Sequence, residues 1–516
     1  MRPTSVRRNA TANLVAFLVP LAISFFVSPF LIHTLGDSRY GAWALLGELT
    51  GYYGLFDAGI RGAVGYYVAR HCGDREWSRL NQIVTLAFWA LSAAAAAVMV
   101  LGLSIAWRLP ALIRTGDTDP MEIRIAAAIM VVVVAFNLPL SLYAAFLNGF
   151  RRVDLLVYTE LIPRLLATTL IVVMVRLGYS LIAMSVINGA ATALTWLFQY
   201  VFARRSGASI SLFPVRFERS LLKDLFAVSG ATVILNATIT VINQVQPIII
   251  GAYLGTSWLT YFVVARQLST YYHYFIATIP LSLTTTFTSY YFTGQKDALA
   301  RLYLVATRIT GALAVFVGCS IVIFGRPFLG LWVGEKYISG SWALRSDVVL
   351  VLLIVGTVPR TFQNTSAQLL LATRKLRFFT VLRVAEAVVN VGCTLLLVRP
   401  LALAGVSLAS AVPMIVSHVL LFWYVLREFA IPLGVYWREA LLPALRVNVL
   451  PVATAVILVL VVPPVKWRLM IGEVIAVSMV ALWSFRREPT FREESRKWGA
   501  GLAQVAGGLW NRGGRQ

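Results

Sequence analysis

The sequence predicts an all-α polytopic membrane protein with about fourteen transmembrane helices. Three observations predict it. Of 516 residues, 59% are hydrophobic and only 13% charged, with a mean hydropathy of +0.77. The apolar runs reach the roughly 20 residues that a spanning helix needs. Basic residues gather in alternate segments between those runs, as the positive-inside rule requires.

The spans begin near Ala12, Gly41, Ile83, Ile123, Tyr158, Leu181, Leu225, Ser257, Leu302, Val348, Thr380, Ala404, Val447 and Leu469. Arg2, Arg7 and Arg8 precede the first run, and no small-residue cleavage site follows. That pattern predicts a retained first span. With the N-terminus inside, the cytoplasmic segments carry 28 basic residues and the outside segments 11. Both termini are therefore expected in the cytoplasm. The last two runs are short and interrupted by Pro463-Pro464, so twelve spans plus a re-entrant hairpin is the alternative. Beyond Phe485 the chain is basic, and Trp498, Leu502, Val505 and Leu509 share one helical face. This suggests an amphipathic surface helix or a poorly ordered tail.

The formal charge of +23 would suggest nucleic acid in a soluble protein, but here the inside loops account for most of it. Cys72, Cys319 and Cys393 form no CxxC pair, so neither a disulfide framework nor a metal site follows.

The chain also repeats itself. Leu35-Gly36, Ser38, Leu49, Tyr52, Tyr53 and Phe56 match Leu254-Gly255, Ser257, Leu268, Tyr271, Tyr272 and Phe275 at an offset of 219. Phe150-Arg151-Arg152-Val153 faces Thr373-Arg374-Lys375-Leu376 at an offset of 223. The expected organisation is an N-terminal six-helix bundle (1–220), a second six-helix bundle (221–430), a further transmembrane hairpin (431–485) and a basic tail (486–516). Substrate sites of such duplicated transporters lie between repeats. The second helix of each half, Gly41 to Arg70 and Ser257 to Thr293, mixes Gly, Tyr, Ser, Thr and charge into its apolar pattern. Such helices line cavities.

Six arginines fall inside spans: Arg61, Arg164, Arg266, Arg308, Arg360 and Arg383. A charge at bilayer depth faces protein or a hydrated cavity, so these groups suggest an anionic cargo. Asp57 lies four residues before Arg61, Glu160 four before Arg164, and Glu386 three after Arg383, all spacings that meet on one helix face. Arg164 with Glu160 reads as a bundle-stabilising pair. Arg308 and Arg383 lie close enough to cytoplasmic ends to snorkel, and a structural role is expected of both.

The stretch from Leu31 to Arg70 carries Leu35-Gly36, Tyr40-Gly41, Trp43, Gly51-Tyr52, Leu55, Asp57-Ala58-Gly59 and Val68-Ala69-Arg70. It resembles the opening helices of bacterial oligosaccharide-lipid flippases, the O-antigen and polysaccharide-unit translocases of the multidrug/oligosaccharidyl-lipid/polysaccharide exporter superfamily. The resemblance implies two pseudo-symmetric six-helix bundles around a central cavity. It also implies alternating access in the bacterial inner membrane, moving an undecaprenyl-diphosphate-linked oligosaccharide from the cytoplasmic to the outer leaflet. The implied partners are that glycan, membrane lipids, and a polysaccharide polymerase with its chain-length regulator. No cofactor is called for, and a proton or sodium ion is the coupling ion to consider.

That cargo needs cations for the diphosphate, and polar and aromatic groups for sugars. Arg61, Arg266 and Arg360 are the candidate diphosphate contacts, because guanidinium forks match phosphate oxygens. Pairing with Asp57 is the other explanation of Arg61, and a tertiary pair with Glu48 that of Arg266 or Arg360. Tyr52, Tyr53, Tyr271, Tyr272, Asn243 and Gln363 are the candidate sugar contacts. Interhelical hydrogen bonding explains such amides equally well. Glu48 and Asp57 are the candidate ion- or proton-coupling carboxylates.

Two rival functions remain open. A multidrug exporter of the same fold would prefer cations and a net acidic cavity. An enzyme acting on lipid-linked sugars would need catalytic groups outside, where Asp117-Thr118-Asp119 is the only DxD motif. No HExxH, P-loop or dinucleotide fingerprint is present.

Overall fold

A computed structural model describes residues 6–53, 60–74, 77–150, 152–205, 219–464 and 466–491. Among these the regular structure is entirely helical. Helices satisfy every backbone polar group within one segment, which hydrocarbon demands. In chain order they are α1 (Val6–Leu35), α2 (Asp37–Tyr53), α3 (Ile60–Asp74), α4 (Trp77–Leu112), α5 (Pro120–Leu140) and α6 (Leu142–Gly149). Then come α7 (Val153–Arg176), α8 (Leu181–Arg205), α9 (Arg219–Tyr253), α10 (Thr256–Ser282), α11 (Thr284–Phe292) and α12 (Lys296–Trp332). The last are α13 (Ser346–Ala372), α14 (Leu376–Glu428), α15 (Leu433–Tyr436), α16 (Leu442–Val461) and α17 (Trp467–Arg487).

Among the described residues, eleven helices are long and apolar enough to cross a membrane. One of them, α14, is 53 residues long and bends at Ala402, whose φ of 46° is non-helical. The sequence places a new span near Ala404, beside this break. The expected second helix of the second half is two pieces, because α10 stops at Ser282, two residues past Pro280, and α11 starts at Thr284. In the first half, residues 54–59 between α2 and α3 are outside the described part, as is the proposed tail helix from Trp498. Pro463 and Pro464 lie in the short turn between α16 and α17.

The chain forms two compact units. Unit 1 holds residues 1–264 and 383–409; unit 2 holds 265–382 and 410–516. In unit 1, α4 packs along α5, α7 along α8, α1 along α7, and α2 along α9. Val64, Val68, Leu80, Val84, Leu91 and Phe146 fill the core between α3, α4 and α6. In unit 2, α12 packs along α13 and α16 over a core of Phe287, Tyr303, Leu369, Leu421, Val425 and Tyr436. Phe362 closes on Gly311 so tightly that a Cβ there would lie 2.1 Å from its ring.

The repeat is visible at two turns. Gly36 (φ +79°) joins α1 to α2, and Gly255 (φ +110°), 219 residues later, lies between α9 and α10. Only glycine adopts these angles without strain. Their neighbours Ser38 and Ser257 meet with hydroxyls 2.7 Å apart. Contact between equivalent positions is what a local twofold produces. Thr260 Oγ1 donates to the Asp37 carbonyl (2.7 Å), and the Thr256 amide to that of Arg114 (3.0 Å).

Two charged positions have the structural contacts expected of them. Arg308 does not snorkel: it is 7% exposed, and its guanidinium donates to the Glu439 carbonyl at 3.0 Å, in the π-helical turn before α16. Arg383 does not snorkel either, being buried in a 2.7 Å salt bridge to Glu386. The DxD motif is also structural, since Asp119 caps α5 by accepting the Met121 amide at 3.0 Å.

Candidate cargo site in unit 1

The charged groups of α3 and α7 come together inside unit 1. Arg61 on α3 and Glu160 on α7 line a cavity of about 570 Å³. Asn148 on α6 and Asn236 and Thr240 on α9 complete its polar wall. Gly62 keeps the space beside Arg61 clear, with nothing within 4 Å of where its Cβ would be. Against Gly51 the Gln244 amide packs at 1.9 Å from such a Cβ, which holds α9 against α2.

Further along the same stripe of α7 lies a second cavity of about 450 Å³, lined from α1, α2, α7 and α8. Glu160 is a wall of both cavities, and Arg164 lines the second. Pro163 sits between them and cannot donate to the Thr159 carbonyl, so the α7 ladder is interrupted at this level. Arg164 and Glu160 are both exposed to their cavities. The expected bundle-stabilising pair is therefore a cavity wall. Glu160 lies in the field of both Arg61 and Arg164.

Arg266 and Arg360 are half-buried on α10 and α13, in unit 2. Glu48 is half-buried on α2 and acts on Tyr52 one turn later. Asp57 and the Tyr53 side chain lie outside the described residues. Asn243 is exposed on α9, on the face that carries Asn236 and Thr240. Tyr271 is half-buried and accepts a hydrogen bond from the Gln267 amide. Tyr272 is 2% exposed, with its hydroxyl 3.0 Å from the Ala314 carbonyl and 2.9 Å from Thr361 Oγ1. Gln363 is 7% exposed and accepts from Ser366 Oγ at 2.6 Å. Tyr272 thus holds α10, α12 and α13 together in unit 2, whereas Gln363 and Ser366 both lie on α13.

Sequence reasoning missed the second cavity, although its signal was present. Ser24 and Ser28 on α1, Glu160, Arg164 and Thr168 on α7, and Asn188, Thr192 and Thr195 on α8 recur at intervals of three or four. Three apolar helices thus carry a polar stripe each.

A sequence profile of the family described as polysaccharide biosynthesis protein matches residues 6–289. The chain belongs to that family. Every residue lining the two cavities lies inside the matched stretch. Over 418 residues it is 20% identical to the uncharacterized membrane protein EpsK of Bacillus subtilis (strain 168), covering 80% of this chain and 81% of that one. Its fold is that of an inward-facing multidrug-resistance MATE transporter of the MOP superfamily. The TM-score is 0.67 at 15% identity, over 83% of this chain and 98% of that one. The lipid II flippase MurJ in its inward closed conformation has the same fold. That TM-score is 0.67 at 11% identity, over 93% and 98%. This member of the polysaccharide biosynthesis family is thus a multi-pass membrane protein with a transporter fold.

Proposed function

We propose that the protein is a flippase that passes an undecaprenyl-diphosphate-linked oligosaccharide from the cytoplasmic to the outer leaflet for surface polysaccharide synthesis. The observation that carries the reading is the cavity walled by Arg61, Glu160, Asn148 and Asn236, in a family that serves polysaccharide biosynthesis. A diphosphate cannot shed its hydration into hydrocarbon without replacement. Arg61 supplies that replacement as a bidentate donor. Arg266 and Arg360 are its proposed companions when the two six-helix halves, 1–220 and 221–430, alternate between inward- and outward-open states. Glu48 and Asp57 are the groups assigned to ion coupling. The membrane is the bacterial inner membrane, with both termini in the cytoplasm.

Deleting the gene in a strain with no second flippase should trap lipid-linked glycan on the inner leaflet. Unchanged export there would refute the reading. Arg266→Ala and Arg360→Ala should each abolish export at normal expression, and near-normal export in both would remove them from the site.

A further inference from the structure

The second cavity has the chemistry of a carbohydrate site, and no part of it is needed to hold a diphosphate. Ser24, Ser28, Asn188 and Thr192 present hydroxyls and an amide, and Tyr40 and Trp43 present aromatic faces. Sugar rings offer hydroxyl edges and C–H faces, which these two kinds of group match. The charged residues lining it, Arg164 and Glu160, are of opposite sign, so the chamber suits an uncharged or weakly charged head. Thr192 Oγ1 and Thr195 Oγ1 donate to the Asn188 and Ala191 carbonyls, at 2.8 Å and 3.0 Å, which leaves their oxygens as acceptors for sugar hydroxyls. The volume of about 450 Å³ lies within the roughly 300–1,000 Å³ of ligand pockets. At about 30 Å³ per water it holds about fifteen water-sized groups. That is room for one or two pyranose rings and no more.

We propose that the α1–α2–α7–α8 cavity is the seat of the cargo's glycan head, joined across Glu160 to the Arg61 cavity that takes the diphosphate. This rests on the flippase reading and extends it. Because Glu160 is the common wall, the rings seated there are those nearest the diphosphate. A carboxylate with four acceptor sites can take hydroxyls from a ring on one side while facing Arg61 on the other. The more distant sugars of the unit lie outside the chamber and are not selected by it.

The test uses the full-length protein in lipid nanodiscs and four probes: undecaprenyl diphosphate bare, or bearing one hexose, N-acetylhexosamine or hexuronic acid. At least one sugar-bearing probe should bind about tenfold tighter than the bare lipid, a gain of ~1.4 kcal/mol. The near-isosteric pair Asn188→Leu/Thr192→Val should erase that gain and leave the affinity for the bare lipid unchanged. Ala191→Trp, which fills the chamber from α8, should do the same. Arg61→Ala should weaken all four probes together. If no sugar adds affinity, or if the gain survives in the double variant, the proposal is overturned whatever Arg61→Ala does. If the unmodified protein binds none of the four, the flippase reading itself falls. Retained binding of the bare lipid shows that each variant is folded.

Discussion

Glu160 on α7 and Arg383 on α14 occupy the same place in the two repeats, 223 residues apart, and meet opposite fates. Each has a partner of opposite charge within one helical turn. On α14, Arg383 and Glu386 are 6% and 4% exposed and form a 2.7 Å salt bridge. On α7, Glu160 and Arg164 stand open to two cavities, with Arg61 close enough for Glu160 to feel its charge. A sealed ion pair cannot answer to cargo, because its Coulomb energy is already committed to its neighbour. An open pair with a third charge nearby can exchange partners when an anion arrives. The same local spacing therefore gives a buried ion pair in one repeat and an open cavity wall in the other. What differs is the packing around it.

The largest expected effect tests the sealed side. Arg383→Met should destabilise the protein by about 3–5 kcal/mol, since it strands a buried carboxylate. Arg383→Met/Glu386→Leu should recover most of that loss in thermal unfolding of the purified protein. A double variant as unstable as the single one would show that the two residues do not act as a pair.

On the open side, Arg61→Ala should reduce export about 100-fold, matching the roughly 2–5 kcal/mol of a desolvated charge contact. Folding should be unaffected, because Arg61 is exposed to the cavity. A loss of export fully explained by lost protein in the membrane would place Arg61 with Arg383 instead.

Glycines of α2 extend the comparison. A Cβ on Gly41 would lie 1.8 Å from the Thr256 carbonyl, whereas around Gly47 there is nothing within 4 Å. Gly41→Ala should cost about 1–3 kcal/mol by overpacking. Gly47→Ala should be neutral or stabilise by up to ~1 kcal/mol through helix propensity. Melting temperatures moving in the same direction for both would contradict the packing between α2 and α10.

The smallest effect belongs to Lys375, outside the spans. Its hydrogen bond to Glu428 raises its pKa above the usual lysine value. The pair's contribution is thus present below the unfolded lysine pKa of about 10.4 and fades as pH rises beyond the raised one. Lys375→Met should cost less than about 1 kcal/mol at neutral pH, as for other solvent-exposed pairs. The difference from the unmodified protein should vanish in strong alkali, which unfolding at two pH values would show.

Much of the architecture was legible in the chain. The apolar runs locate α4, α5, α8, α12, α13 and α16 within a few residues, because length and hydropathy alone decide which segments enter a bilayer. Gly36 and Gly255 announce equivalent turns because only glycine tolerates their φ. The site was legible in part. Arg61 was legible as an unusual charge, whereas the exposure of Glu160 was not, because its spacing to Arg164 is the same whether the pair is buried or open.

The amino-acid sequence by itself determined that this protein spans a membrane many times and that equivalent glycine turns recur 219 residues apart. Hydropathy and residue spacing are properties of single segments, so they can be read one helix at a time. Tertiary structure alone decided that Arg383 is sealed, that Tyr272 is bound into a helix interface, and that Glu160 divides two polar chambers. Those outcomes depend on which faces of separate helices meet, and a linear pattern does not encode that.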